Sequence, residues 1–121
     1  MQRSEADGEA GMVTAETAVV LPVLLLVLVC AVAAVTVVGA QLRCVDAARE
    51  GARAAARGEA DAVVAELAGG VAPDGAVTAV RASGERVRVT VSVEVSPLGP
   101  VPLRTRVSAE AVAQREPGGA P

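Results

Sequence analysis

The chain contains no phenylalanine, tyrosine, tryptophan, histidine or lysine. Without aromatic rings, anything that folds in water must build its core from valine, leucine and alanine. These bury less area per residue, so such a domain is marginal alone and leans on its own helix or on neighbouring subunits. Without histidine, the commonest general base and metal ligand is missing. No nucleophile–base pair, metal-ligand cluster or phosphate-binding glycine loop replaces it, so the expectation is a non-enzyme without metal or cofactor. Every basic residue is arginine, and the net charge of −3 with a pI near 4.9 excludes a nucleic-acid-binding surface, which needs a basic patch. Cysteine is scarce too: Cys30 and Cys44 alone. On one helix they would stand about 21 Å apart along the axis, whereas a disulfide needs Cα atoms within about 7 Å. They read as small apolar residues in a packed helix.

What the chain does have is one long apolar run. Between Thr17 and Leu42 there is no charged residue, a span of roughly 26 positions where a bilayer needs about 20. Glu16 stands at its leading edge, five residues after Gly11, and Leu21-Pro22 lies in its first turns. The ten residues before Gly11 are short, polar and mostly acidic, unlike the basic n-region of a secretory signal peptide. A lipoprotein site at Cys30 does not fit either. Val29 precedes the cysteine where glycine or alanine is preferred, and the apolar run continues to Gly39.

The segment Gly-Met-Val-Thr-Ala-Glu-Thr-Ala-Val-Val-Leu-Pro resembles the N-terminus of TadE-like minor pilins of tight-adherence (Flp-type) type IV pili. In that family a prepilin peptidase cuts after the glycine on the cytoplasmic side. The resemblance implies that Gly11 ends a leader, Met12 becomes the new N-terminus and Glu16 the fifth mature residue. A glutamate at the edge of a hydrocarbon-embedded helix is costly unless paired, and a new α-amino group on a neighbouring subunit would supply a partner. The other reading of Glu16 is a carboxylate favoured by the helix dipole at headgroup level. Major Flp-type pilins carry an aromatic directly after the glutamate; here that place is Thr17, which points to a minor, pseudopilin-type subunit. The Leu-Pro pair also resembles the family, and Pro22 either eases bending as the helix leaves the bilayer or is a tolerated kink.

Downstream, Ala48, Ala52 and Ala56 recur every fourth position, as do Ala47, Gly51 and Ala55, with Thr36, Ala40 and Cys44 upstream. Small residues at this spacing let helices approach closely, either between subunits or between this helix and its own sheet. Arg49, Arg53 and Arg57 form a separate charged stripe. The stretch Ala-Ala-Arg-Glu-Gly-Ala-Arg-Ala also resembles the family. Gly58 interrupts the helix. A short amphipathic helix follows over Glu59–Leu67, ended by Gly69-Gly70, and Pro73-Asp74-Gly75 marks a turn.

The rest reads as strands. Ala76–Ala82 is the first. Val87, Val89, Val91, Val93 and Val95 then alternate with Arg88, Thr90, Ser92 and Glu94, which is a strand with one buried face. After a rigid Pro97–Pro102 connection, Leu103, Thr105, Val107, Ala109 and Ala111 give a third, and Gln114 onward reads as a disordered tail.

The expected fold is therefore α+β: a long N-terminal transmembrane and stalk helix followed by a small three-stranded antiparallel, pilin-like sheet. Its parts are a leader (1–11), a transmembrane helix (12–42), a juxtamembrane helical stalk (43–70), a β domain (71–113) and a tail (114–121). The resemblance implies a processed, non-catalytic minor pilin acting in pilus assembly, with Gly11, Met12 and Glu16 in processing. Pro22, Ala40, Ala48, Gly51 and Ala52 are the residues expected to serve helix packing. Implied partners are the prepilin peptidase, other pilin or pseudopilin subunits, the assembly platform with its ATPase, and the lipid bilayer. The implied location is the plasma membrane, single-pass with the sheet outside, and from there incorporation into surface pili. Arginines 43, 49, 53 and 57 against Arg3 alone put the C-terminal part inside by the positive-inside rule, the reverse of the pilin orientation. The alternative is an unprocessed single-pass scaffold or binding protein of the cell envelope.

Overall fold

A computed structural model describes residues 2–115, with side chains from residue 10 onward. The element order is α1 (Gln2–Ala56), α2 (Asp61–Val71), β1 (Val77–Ser83), β2 (Arg86–Val95) and β3 (Thr105–Gln114). The α+β expectation holds: one long apolar N-terminal helix, then a three-stranded antiparallel sheet in the order β1-β2-β3. The chain divides into two units, Met1–Ala33 and Ala34–Pro121.

The first unit is helix throughout its described length. Pro22 lies inside α1, where it cannot donate to the carbonyl of Ala18. The hydroxyls of Thr14 and Thr17 donate to the carbonyls one turn back, Ala10 (2.8 Å) and Val13 (2.9 Å). Both polar side chains are thus satisfied at the start of an apolar segment that could not otherwise pair them.

In the second unit, one face of α1 closes on the sheet. Cys44, Ala47, Ala48, Ala54 and Ala55 are buried with Val64 and Ala68 of α2 and Val87, Val89, Val91, Val93 and Val107 of the sheet. The spacing 44, 47/48, 51, 54/55 is the period of an α-helix. Gly51 shows why the residues are small. A Cβ there would stand 2.8 Å from Cγ1 of Val89 and 3.3 Å from Cβ of Ala68. Of the two readings of the small-residue seam, the fold exhibits packing on the chain's own sheet.

Each element ends for a local reason. After α1, Gly58 takes φ 84°; its N–H donates to Ala55 O and that of Glu59 to Ala54 O, the paired bonds of a Schellman motif. The next helix corrects an expectation. It does not stop at Gly69-Gly70 but runs to Val71, with Ala72 extended at ψ 157°. Pro73 is the terminator, because a residue preceding proline is driven out of the α region, whereas glycine only weakens a helix. The β1–β2 hairpin turns through Gly84-Glu85, with Ser83 opposite Arg86 and Gly84 at φ 63°, as a two-residue loop requires.

The third strand begins two residues later than Leu103 and extends to Gln114, so the chain expected as a tail from Gln114 is ordered through Arg115. The Arg115 N–H donates to Glu85 O (2.7 Å), and its guanidinium bonds Asp61 at the start of α2 (3.0 Å). Residues 116–121 lie outside the described residues. Because Arg115 hydrogen-bonds toward β2, strand geometry turns the carbonyls of even-numbered β3 residues to the free edge. There the Gln41 side-chain amide donates to Ser108 O (3.1 Å), covering one position of an otherwise open edge strand.

The glycines of this unit give opposite predictions. Gly51→Val forces a branched side chain into Val89 and should lower stability by about 1–3 kcal/mol through overpacking. Gly69→Ala in α2, where nothing lies within 4 Å of an added Cβ, should raise it by about 1 kcal/mol. Thermal unfolding of the full-length chain in detergent, followed by the far-ultraviolet signal, checks both. Equal effects of the two substitutions would refute the close approach at Gly51.

Candidate functional site

Gly11, Met12 and Glu16 lie together in α1 and are all exposed, Met12 at 69%. An added Cβ at Gly11 would meet nothing within 4 Å, so packing does not explain this glycine. Its physical effect is on the backbone: glycine in a helix interior costs about 1 kcal/mol relative to alanine. The helix is thus easier to unwind beside the Gly11–Met12 bond than it would be with alanine at that position. Met12 and Glu16 stand at i and i+4, one above the other on a single helix face with Cβ atoms about 5–6 Å apart. An α-amino group freed at Met12 would therefore begin one turn below the Glu16 carboxylate of its own chain. The same ammonium, presented by a parallel neighbour, would reach that carboxylate from outside.

Beyond this acidic edge, the apolar side chains of the run point away from the chain. Leu21, Leu24, Leu25, Leu26 and Leu28 are all more than half exposed. One helix among the described residues, Ala10–Ala56, is long and apolar enough to cross a membrane, and none of its most apolar window is buried. In water that surface would be prohibitive; in hydrocarbon or among like helices it is at home. Cys30 is exposed within this run, whereas Cys44 is buried in the core of the second unit.

The residues expected to serve helix packing divide between the two units. Pro22 is exposed in the first. Ala48, Gly51 and Ala52 are buried in the second, and Ala40 is half-buried against the same core. Arg49, Arg53 and Arg57 are exposed, and Arg53 reaches Glu50 at 3.7 Å, a solvated pair of little energetic weight. Sequence reasoning missed Arg115 and Gln41, which tie α2 and α1 to the sheet. The signal for Arg115 was available: Ala113 continues the period-two series of β3, carrying the strand past the point where its polarity rises.

The second unit has open hollows among its described residues. The hollow between α1 and the end of β2, about 440 Å³, is lined by Val35, Gly39, Ala40, Arg43, Asp74 and Glu94, among others. No group of three or more His, Cys, Asp or Glu among the described residues could hold a metal ion.

Comparison with known proteins agrees with this arrangement. Residues 11–53, from the glycine before Met12 to the arginine two past Gly51, match the family model described as TadE-like protein. The chain is similar to a Mycobacterium tuberculosis protein named Apoptosis inhibitor Rv3655c, with 40% identity over 103 residues, 85% of this chain and 78% of that protein. No solved structure matches. The matched segment begins at Gly11 and takes in Glu16, the apolar run and the helix face that meets the sheet, and on this ground the chain belongs to the TadE-like family.

Proposed function

We propose that this Tad pilus-related protein is a minor pilin: a structural subunit cut between Gly11 and Met12 by a prepilin peptidase. The observation that carries the reading is the alignment of an unpacked glycine, Glu16 five residues on, and a fully exposed apolar helix. Each has a use in this scheme. The glycine eases unwinding of the helix at the scissile bond, and the apolar helix anchors the subunit in the bilayer. Glu16 then stands ready to pair with a new ammonium, its own or a neighbour's, once the helix leaves the lipid for an assembly. In this scheme the sheet unit is extracytoplasmic, the orientation that processing from inside requires. It stands against the arginine bias after the run, which the positive-inside rule counts.

A second reading comes with the mycobacterial relative, whose name assigns it inhibition of apoptosis. A 103-residue match within 121 residues necessarily takes in β1 and β2, so the likeness is not confined to the anchor. Under that reading the chain would inhibit apoptosis. A third, the unprocessed envelope scaffold, requires neither cleavage nor Glu16.

Mass spectrometry of the N-terminal peptide from membranes of cells with an active prepilin peptidase separates these. The expected mature chain begins at Met12, and a Gly11→Leu chain keeps residues 2–11. Glu16→Ala is expected to be cut normally and yet lost from assembled filaments, since its role follows cleavage. An intact leader on the unaltered chain would rule out the minor-pilin reading. Suppression of cell death by the uncut Gly11→Leu chain would favour the second.

A further inference from the structure

The outer face of the sheet, turned away from α1, carries three arginines at one end. Arg81 on β1 stands directly opposite Arg88 on β2, and Arg86 follows on the same face opposite Ser83. Directly opposed residues have Cβ atoms about 4.5–5.5 Å apart, and like charges there are destabilising. Glu110 of β3 meets Arg88 at 3.2 Å. Arg81 and Arg86 have no acidic partner among the described residues. The three guanidiniums, with Ser83 and Val112, line an open hollow of about 440 Å³. At the other end of this face Glu94 lies opposite Arg106 and bonds Arg104 at 3.6 Å, so no arginine there is set directly against another. The like-charge opposition is confined to Arg81 and Arg88, and it sits in a sheet whose core, lacking aromatics, has little stability to spare.

We propose that Arg81, Arg86 and Arg88, with the Ser83 hydroxyl, form a binding site for a phosphate-type oxyanion. The chemistry fits. Guanidinium forks donate in pairs to tetrahedral oxyanions and remain charged at any physiological pH, and a hydroxyl adds one more donor. A doubly charged anion in the hollow converts the Arg81–Arg88 repulsion into two charge-assisted contacts. The ligand is either a free phosphate compound or the phosphate of a lipid headgroup. This inference does not depend on cleavage at Gly11.

The test uses the full-length chain in phosphatidylcholine nanodiscs. Pyrophosphate binding is measured by calorimetry, and capture by phosphatidylglycerol vesicles by flotation. Losing one charge-assisted bond weakens binding about tenfold or more, so Arg81→Gln and Arg86→Gln are each expected to do so. Arg104→Gln, at the other end of the sheet, should not. Arginine-dependent pyrophosphate binding identifies a free phosphate ligand; arginine-dependent vesicle capture without it identifies a headgroup. Absence of arginine-dependent binding to either probe, or an equal loss in Arg104→Gln, overturns the site. Without ligand, Arg81→Gln should raise the thermal midpoint by relieving the like-charge pair; a lower midpoint would make Arg81 a structural residue and defeat the argument.

Discussion

The sheet unit depends on how closely one helix can approach a row of valines. Val87, Val89 and Val91 are fully buried, and the surface that buries them is made largely of alanine, one cysteine and Gly51. Aromatic cores reach across wide gaps with large side chains; a core of valine and alanine has to close the gap with backbone. At Gly51 an added Cβ would stand only 2.8 Å from Cγ1 of Val89, which leaves no room for a side chain. Around it the rest follows. The second helix lays Val64 and Ala68 into the same seam, and Arg115 fixes the start of that helix to the end of β3. Little else is available to hold a unit of this size together, since its ion pairs are exposed and contribute little.

Most of the fold was legible in the sequence because two periodicities dominate it. Alternating valines fixed the face of β2 that is buried, and the uncharged run fixed the membrane-length helix. Gly58 was correctly read as a helix stop because a positive φ is what a Schellman ending demands. Gly69-Gly70 was misread for the complementary reason. Glycine permits a helix to end but does not compel it, and the compelling residue, Pro73, lay three positions on. The small-residue seam was the ambiguous case. Its spacing encodes close approach without naming the partner, and the partner, Val89, is distant in sequence. The arginine hollow was invisible for a similar reason, since Arg81 and Arg88 become neighbours only once the hairpin register is set.

The candidate processing segment was more legible than the packing because it is local. Gly11, Met12 and Glu16 fall within six residues, and any helix places the last two on one face. What sequence reasoning had linked only through a neighbouring subunit, the helix also permits within one chain. If the chain is cut as proposed, an ammonium at Met12 and the carboxylate one turn above it would be near enough to interact, so a monomer in a membrane would not have to carry Glu16 unpaired.

The seam also constrains how copies of the chain can meet. Ala47, Ala48, Gly51 and Ala55 are spent on the chain's own sheet, so the close-packing face of this part of α1 is not free for a neighbour. What remains exposed there is mostly charged: Arg43, Asp46, Arg49, Arg53 and Arg57, with Arg53 paired to Glu50. Under the minor-pilin reading, helix-to-helix contact between subunits would fall to the apolar run before Gln41, where leucines and valines are exposed and no basic residue intervenes. One helix thus carries an exposed apolar run, suited to a non-aqueous setting, and a small-residue face spent on the chain's own fold, with exposed charge beside the latter.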